Sequence, residues 1–405
     1  MWNVEAIRKQ FPALTREYGG RQAAYFDGPG GSQVVQSCID AMSAYMIRGG
    51  ANLHGVFPSS VETEEVILHA RERAAAFLGA EPNEIAFGAN MTTLNFAISR
   101  ALSRDWTDAD NIVVTELDHR ANVDPWISAA KDKGASIRFL QVDPETLTLR
   151  LDEMEQVITE GTKLVAIGLA SNAVGTVNDV RRVADVAHRF GATVAVDAVH
   201  AAPHISVQRD ELGADILLCS AYKFFGPHLG IAAIRSALFE RLETYRLLPA
   251  PDGCPDKLET GTQNHEGLAG LSGAIDFIAG LGYGETLREQ LQTAMAAIEA
   301  EEEALAQRLR DGLESMAGVH LYTAPAFVRK TPTVAFNVDG MSPRNVCKAV
   351  LETAGVFVAD GDFYATTLVR KLGVLETGGL VRAGLAPYST VAEVDRLLQA
   401  VERLR

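Results

Sequence analysis

The chain has 405 residues, of which 47% are hydrophobic and 22% are charged; this composition excludes wholesale disorder and predicts roughly two or three domains with large cores. The formal net charge of −15 disfavours nucleic acids and anionic membranes as partners, because an acidic surface repels phosphate groups. The four cysteines lie far apart, without a C-x-x-C pair or a histidine cluster at metal-ligand spacing, and the first residues do not resemble a secretion signal. We therefore expect a cytoplasmic enzyme with free thiols, no metal site and no membrane span.

The first two thirds of the chain alternate short apolar runs with amphipathic stretches. The apolar runs predict strands that are buried on both faces, as in a parallel sheet, at 84–87, 111–115, 136–142, 164–170, 193–199, 216–219 and 230–234. Helices are predicted at 92–102, 122–133, 151–158 and 179–190. Asp179 is suited to cap the last of these helices, and Gly191 follows its end. Such alternation predicts an α/β fold with right-handed crossovers.

The pattern changes after residue 265. A long helix is predicted at 294–312, followed by strands at 333–338, 356–359 and 380–384 and by helices at 342–354 and 391–405. These elements predict a second, smaller α/β domain. We expect a large domain over 21–265 and a small domain formed by 1–20 and 266–405.

Polar residues occur at the ends of the predicted strands, where ligands of open parallel sheets collect. Asp197 lies near the end of one strand, and Lys223 closely follows the next. A partly desolvated lysine has a lowered pKa and can form a Schiff base, and an aspartate can keep a pyridine nitrogen protonated. Pyridoxal phosphate (PLP) chemistry requires both contacts. Taken singly, each residue also fits a structural role, as a helix cap or a surface lysine.

Three further strand ends offer groups that suit the same cofactor. Asn90, Met91 and Thr92 precede or open a helix whose first N–H groups form an anion site. His119 lies on a loop where an imidazole can stack on an aromatic ring, and Asn172 offers an amide donor to a carboxylate or a phenolic oxygen. Simple capping or an ordinary loop histidine would explain each one alone. Their coincidence at the strand ends favours a PLP site.

The sequence resembles the class V aminotransferase family of fold-type I PLP enzymes, and within it the cysteine desulfurase and selenocysteine lyase branch. The resemblance is collinear over nearly the whole chain and rests on YFDGPGG, ANLHG, FGANMTTLN, E-x-x-H-x-A-N-x-x-P-W, SNAVGT, VDAVH, SAYKFFGP, ETGTQN and VRAGLAPYST. It implies a large domain with a mainly parallel seven-stranded sheet between helices and a smaller C-terminal α/β domain. It also implies PLP as cofactor, a small amino acid as substrate, and a homodimer with shared active sites.

The resemblance assigns roles to individual residues. Lys223 would bond to the cofactor, Asp197 would pair with its ring nitrogen, and His119 would stack on its ring. The phenolic oxygen would lie near His200 and Asn172. The phosphate is assigned to Asn90, Met91, Thr92, Ser220, Tyr222 and, from the opposite subunit, Thr262. The substrate is assigned to Asn52, His54, Asn172 and Arg382, and a guanidinium can bind a carboxylate through two hydrogen bonds.

One segment departs from the desulfurase pattern. Desulfurases present a sulfur-accepting cysteine in a loop that reads R-x-G-H-H-C-A, whereas this chain has ADGDFYATT, with Ala359 in place of the arginine and Tyr364 in place of the cysteine. A thiolate can form a persulfide and a phenol cannot. The sequence therefore favours elimination of a β-sulfur or β-selenium group, with Tyr364 as a lid side chain or proton donor.

Other functions remain open on the sequence alone. The chain could be a transaminase, or a true cysteine desulfurase that uses another cysteine, Cys254 being the one expected nearest a pocket. A PLP-binding protein without enzymatic activity is a further alternative, although Lys223, Asp197 and Arg382 argue against it. A protein that accepts sulfur is an additional candidate partner that no motif supports. No motif identifies the substrate amino acid.

Overall fold

Strands and helices alternate along the chain in a computed structural model that describes residues 2–404. The strands are β1 (Glu17–Tyr18), β2 (Arg21–Gln22), β3 (Ala24–Tyr25), β4 (Ile85–Gly88), β5 (Asn111–Thr115), β6 (Ser136–Leu140), β7 (Val142–Asp143), β8 (Thr148–Leu149), β9 (Thr162–Gly168), β10 (Thr193–Asp197), β11 (Ile216–Ser220), β12 (Gly230–Ile234), β13 (Val319–Tyr322), β14 (Thr333–Val338), β15 (Val356–Phe357), β16 (Ala359–Gly361) and β17 (Leu380–Gly384). The helices are α1 (Val4–Arg8), α2 (Gln36–Arg48), α3 (Pro58–Leu78), α4 (Met91–Leu102), α5 (Asp124–Lys133), α6 (Met154–Val157), α7 (Val180–Arg189), α8 (Arg209–Leu212), α9 (Ser236–Arg241), α10 (His265–Ala279), α11 (Leu287–Glu314), α12 (Pro343–Ala354), α13 (Thr366–Lys371) and α14 (Val391–Glu402).

Seven strands form one large sheet in the order β4-β12-β11-β10-β9-β5-β6. Strand β12 runs antiparallel to both of its neighbours, and the other strand pairs are parallel. This confirms the predicted mainly parallel seven-stranded sheet. Every residue of β5, β11 and β12 is buried, because successive side chains enter two apolar clusters on opposite faces of the sheet.

The register of the large sheet brings several strand ends together. Asp197 at the end of β10 pairs with Gly168 at the end of β9. Ser220 at the end of β11 pairs with Gly230, which pairs in turn with Gly88 at the end of β4. Residues that follow β4, β9, β10 and β11 therefore share one edge of the sheet, where ligands of such sheets bind.

The C-terminal part of the chain contains a four-stranded sheet in the order β13-β14-β17-β16. Its apolar side chains form a third cluster with residues of α11, α12 and α14, and Cys347 belongs to this cluster. The predicted domain division at residue 265 stays a prediction. Helix α10, which begins there, packs against α2 and α3 within the apolar cluster of the large sheet.

Two helix ends illustrate how local sequence sets the element bounds. Asp179 Oδ1 accepts a hydrogen bond from Arg182 N (3.1 Å) at the start of α7, and Gly191 follows its end with φ +72°, which confirms both predicted signals. Helix α11 begins at Leu287, well before the predicted residue 294. The earlier start results from a capping box formed by Thr286 and Glu289.

Other bounds differ from the predictions. The predicted helix at 151–158 contains only one α-helical turn, α6, and the predicted strand at 356–359 is divided into β15 and β16, which pair with different strands. The helix predicted at 391–405 ends at Glu402, and Arg405 lies outside the described residues. Helices α1, α2, α3, α8, α9, α10 and α13 were not predicted. No helix within residues 2–404 combines the length and apolarity needed to cross a membrane.

Candidate active site

A cavity of about 880 Å³ lies at the carboxyl edge of the large sheet. Most of the predicted site residues line it: Asn90, Met91, Thr92, His119, Asn172, Asp197, His200, Ser220, Tyr222, Lys223, Tyr364 and Arg382. The structure therefore brings together side chains from five strand ends and from the C-terminal sheet. Within residues 2–404 no cluster of His, Cys, Asp and Glu suited to a metal ion occurs.

Lys223 follows β11 in a single 3-10 turn and is only 9% exposed. Its ammonium group donates hydrogen bonds to the carbonyl groups of Pro29 and Gly30, the latter at 3.1 Å. Burial, together with the positive charge of Arg382, lowers the pKa of Lys223 to about 8. About a tenth of this amine is consequently neutral at pH 7, and only the neutral form is a nucleophile toward an aldehyde.

Asp197 is a buried carboxylate at the end of β10, and Oδ1 accepts a hydrogen bond from Val199 N (2.8 Å). Burial raises its pKa to about 7, and the nearby carboxylate of Asp118 acts in the same direction. Asp118, which the sequence analysis missed, accepts hydrogen bonds from Asn122 Nδ2 (2.9 Å) and Gly168 N (2.7 Å). A cationic ring nitrogen placed beside Asp197 would favour its charged form, so the site fits a protonated pyridine.

The start of α4 forms a cradle suited to an anion. Asn90 caps the helix, since its Oδ1 accepts a hydrogen bond from Thr93 N (2.9 Å), and Met91 N donates to Ser220 Oγ (3.0 Å). Gly230 packs against this turn so closely that a Cβ atom there would lie 2.3 Å from the carbonyl carbon of Asn90. The exposed helix N-terminus and the neighbouring hydroxyl group fit a phosphate.

Two histidines line the cavity with different partners. His119 Nδ1 accepts a hydrogen bond from Ala121 N (2.9 Å), and burial, with the charges of Lys223 and Arg382, lowers its pKa to about 4. His119 is therefore neutral with its proton on Nε2. His200 is 5% exposed, and its Nε2 lies 3.0 Å from the hydroxyl groups of Thr331 and Thr333.

One buried nitrogen atom in the cavity wall lacks a hydrogen-bond partner within the described chain, so it is available to a ligand. Nδ1 of His200 is buried and has no hydrogen-bond partner among residues 2–404. A buried polar atom of this kind normally has a partner, and the phenolic oxygen of PLP would supply one. Together with the lysine, the buried carboxylate and the anion cradle, this atom indicates that the residues present fit PLP.

Arg382 lies on β17 and is 4% exposed. Its Nη1 donates to the carbonyl group of Asn172 (3.0 Å), and its Nη2 donates to Asp27 Oδ1 (3.1 Å). The ring of Phe363 covers the guanidinium group at 3.9 Å from Cζ. Asp27 and Phe363 were not predicted as site residues, although Asp27 belongs to the YFDGPGG motif.

The loop around Tyr364 folds over the cavity. Phe363 and Tyr364 both have positive φ values, 53° and 58°, which are uncommon for bulky residues. The Phe363 carbonyl group accepts from Asn172 Nδ2 (2.8 Å), and the Tyr364 carbonyl group accepts from Arg120 N (2.8 Å). The Tyr364 ring stacks on His119 with a centroid distance of 5.2 Å. These contacts tie the loop to the large sheet.

Three predicted residues do not reach this cavity. Asn52, His54 and Thr262 are exposed and absent from its lining within the described chain. Their assignment depends on a second subunit and stays a prediction.

All four cysteines lie within residues 2–404, and none of them lines the cavity. Burial raises the pKa of every one, that of Cys38 to about 11 and that of Cys347 to about 12. Cys254 is partly buried beside the apolar cluster on one face of the large sheet. A raised pKa leaves less of each thiol in the nucleophilic thiolate form at neutral pH.

Comparisons with known proteins identify the family of the chain. The family described as "Aminotransferase class-V" matches residues 24–397. A probable cysteine desulfurase of Halalkalibacterium halodurans is 31% identical over an alignment that covers 100% of this chain and 98% of the relative. The aminotransferase-like protein FGM3 of Gibberella zeae is also 31% identical, and the alignment covers 99% of this chain and 98% of that protein. An apo structure of cysteine desulfurase from Thermococcus onnurineus superimposes with a TM-score of 0.88 at 30% identity, covering 99% of this chain and 97% of its own.

Proposed function

Because the chain belongs to the class V aminotransferase family, a family of PLP-dependent enzymes, we propose that it eliminates a β-sulfur or β-selenium group from a small amino acid. The observation that carries this proposal is which residues line the cavity. Lys223 and Asp197 both line it, which suits the cofactor, and Tyr364 lines it from the loop that the resemblance equates with the cysteine loop of desulfurases.

The cofactor would be held by residues that converge on the cavity. Lys223 would bond to it, Asp197 would pair with its ring nitrogen, and His119 would lie against its ring. The start of α4 with Ser220 would hold its phosphate. Once bound, PLP withdraws electrons from the substrate α-carbon and so makes the α-proton acidic.

The chain's own groups are suited to the proton transfers. A lysine with a pKa of about 8 can accept a proton near neutral pH, so Lys223 would act as the base at the α-carbon. The Tyr364 hydroxyl group would donate a proton to the departing sulfur. Arg382 would hold the substrate carboxylate.

The state of the cysteines disfavours desulfuration. That reaction transfers sulfur from cysteine to an enzyme thiolate, which becomes a persulfide, and leaves alanine. Elimination instead breaks the Cβ–S bond, and hydrolysis of the remainder yields pyruvate and ammonia. The sulfur leaves as hydrogen sulfide from cysteine, as a thiol from an S-substituted cysteine, or as a persulfide from cystine. Since no cysteine lines the cavity and burial raises the pKa of all four, we favour elimination.

Transamination is the second candidate, since the matched family is described by that activity. The two reactions differ in their need for an acceptor. A transaminase requires a keto acid for each turnover, whereas a lyase requires none. The need for a keto-acid acceptor therefore distinguishes the two reactions.

We also propose a homodimer with shared sites. Apolar side chains are strongly exposed on α2 and on the connection to α3, including Ile47 (85%), Val56 (100%) and Phe57 (52%). Exposed apolar patches of this kind mark protein interfaces. Asn52 and His54 lie on the same connection, so a second copy covering this surface would carry them toward a neighbouring site.

The proposed activity is tested by incubating the PLP-loaded enzyme with cysteine or cystine in the absence of a keto acid. We expect pyruvate and ammonia in equal amounts, no alanine, and loss of both products in Lys223→Ala. Lys131→Ala, which alters an exposed lysine on α5, is the matched control. Turnover only with a keto acid would establish transamination, and alanine with persulfide on Cys254 would establish desulfuration.

A further inference from the structure

The YFDGPGG motif forms a turn that contacts the two basic groups Lys223 and Arg382 of the cavity. The carbonyl groups of Pro29 and Gly30 accept from Lys223, while Asp27 accepts from Arg382. Gly30 packs directly on the Asp27 carboxylate, since a Cβ atom at Gly30 would lie 2.4 Å from Asp27 Oδ2. The turn therefore holds an acidic side chain against the arginine that is proposed to bind the substrate carboxylate.

The two members of this ion pair differ in exposure. The Arg382 side chain is 5% exposed, whereas that of Asp27 is 46% exposed. A buried guanidinium group left without a counter-ion is strongly destabilised. A half-exposed carboxylate, in contrast, can be released into water at little cost. Arg382 consequently requires an anion at all times, but Asp27 need not be that anion.

We propose that Asp27 is a specificity-determining residue that competes with the substrate carboxylate for Arg382. This inference rests on the proposed function, because it takes Arg382 as the substrate-carboxylate site. An incoming carboxylate exchanges with Asp27 and keeps the arginine paired. A neutral compound or an amine without a carboxylate has no group to exchange, so Asp27 keeps its place and the compound gains nothing from Arg382.

Competition of this kind predicts whether carboxylate binding becomes tighter or weaker when Asp27 is replaced. The apparent affinity for a ligand is reduced by the fraction of the protein in the competent state. An Asp27→Asn variant removes the competing charge and leaves an amide of nearly the same size. We expect it to bind a carboxylate about 3- to 10-fold more tightly than the wild type. If Asp27 merely positions Arg382, the same substitution weakens binding.

The experiment measures binding of propanoate, a carboxylate without an amine, to the PLP-loaded full-length protein by calorimetry. Asp27→Asn and Asp27→Ser are compared with the wild type, and propanamide serves as the neutral ligand. Asp185→Asn removes the same charge from an exposed pair with Arg181 and is the matched control. Circular dichroism establishes that each variant is folded.

Tighter propanoate binding in a folded Asp27 variant, with propanamide binding unchanged, supports the proposal. Unchanged or weaker propanoate binding in the folded variants overturns it. Arg382→Gln separates this result from a failure of the proposed function. If Arg382→Gln binds propanoate as the wild type does, Arg382 is not the carboxylate site, and both the substrate assignment and the inference are wrong. If it loses binding while the Asp27 variants do not gain, only the inference is wrong.

Discussion

The lowered pKa of Lys223 predicts the pH dependence of cofactor loading. Only the neutral amine attacks an aldehyde. With a pKa of about 8, about 9% of Lys223 is neutral at pH 7, compared with about 0.03% of a lysine at its ordinary pKa. The structure thus predicts a roughly 300-fold larger reactive fraction at this position. Labelling should rise with pH and level off above a midpoint near 8.

The assay uses the cofactor-free protein, a short pulse of PLP, reduction with borohydride, and mass spectrometry of the labelled peptides. Lys223→Ala should lack the corresponding peptide adduct, and exposed Lys131 provides a reference profile from the same samples. Because the positive charge of Arg382 lowers the pKa of Lys223 and the negative charge of Asp27 raises it, Arg382→Gln should move the midpoint upward and Asp27→Asn should move it downward. A wild-type midpoint near 10.5, or no shift in either variant, would refute this account of Lys223.

Three further predictions concern the loop, the fold and the assembly. Tyr364→Phe keeps the stacked ring but removes the phenol, so pyruvate formation should slow while the visible absorption of bound PLP is unchanged; an unaltered kcat would leave Tyr364 without a chemical role. Glu259→Ala removes the carboxylate that accepts hydrogen bonds from buried Arg71 and from the Phe87 N–H group (2.7 to 2.8 Å). The free energy of unfolding in urea should therefore fall by about 3–5 kcal/mol. A loss below about 1 kcal/mol would count against a structural role for the Arg71–Glu259 pair. Ile47→Glu places a charge on the exposed apolar surface of α2, and sedimentation should show monomers, whereas an intact dimer would place the interface elsewhere.

The strands of the large sheet and the residues at their ends could be predicted from sequence, because the relevant signals are local. A strand buried on both faces is a continuous apolar run, and a lysine or aspartate directly after such a run is conspicuous. Asp197 and Lys223 were found in this way, as was the cap at Asp179. The mainly parallel sheet followed from the alternation of strands and helices.

Helix α10 shows why other elements were not predicted. It contains Gly267, Gly270 and Gly273, and glycine lowers helix propensity. Gly270 and Gly273 allow close packing against α2, since a Cβ atom at Gly273 would lie 2.5 Å from the Ser37 carbonyl oxygen. The helix is stabilised by a neighbour that is distant in sequence, which no local pattern reveals.

The sequence by itself was enough to predict the fold class and the residues at the carboxyl edge of the large sheet, because each depends on a short run of side chains and its immediate neighbours. The tertiary structure alone decided what those residues contact. Asp27 and Arg382 are 355 positions apart, and Phe363 covers the arginine from a loop of the C-terminal sheet. Whether a buried charge is free or already paired depends on such distant contacts, and the strength of its pairing depends on how far each partner is withdrawn from water.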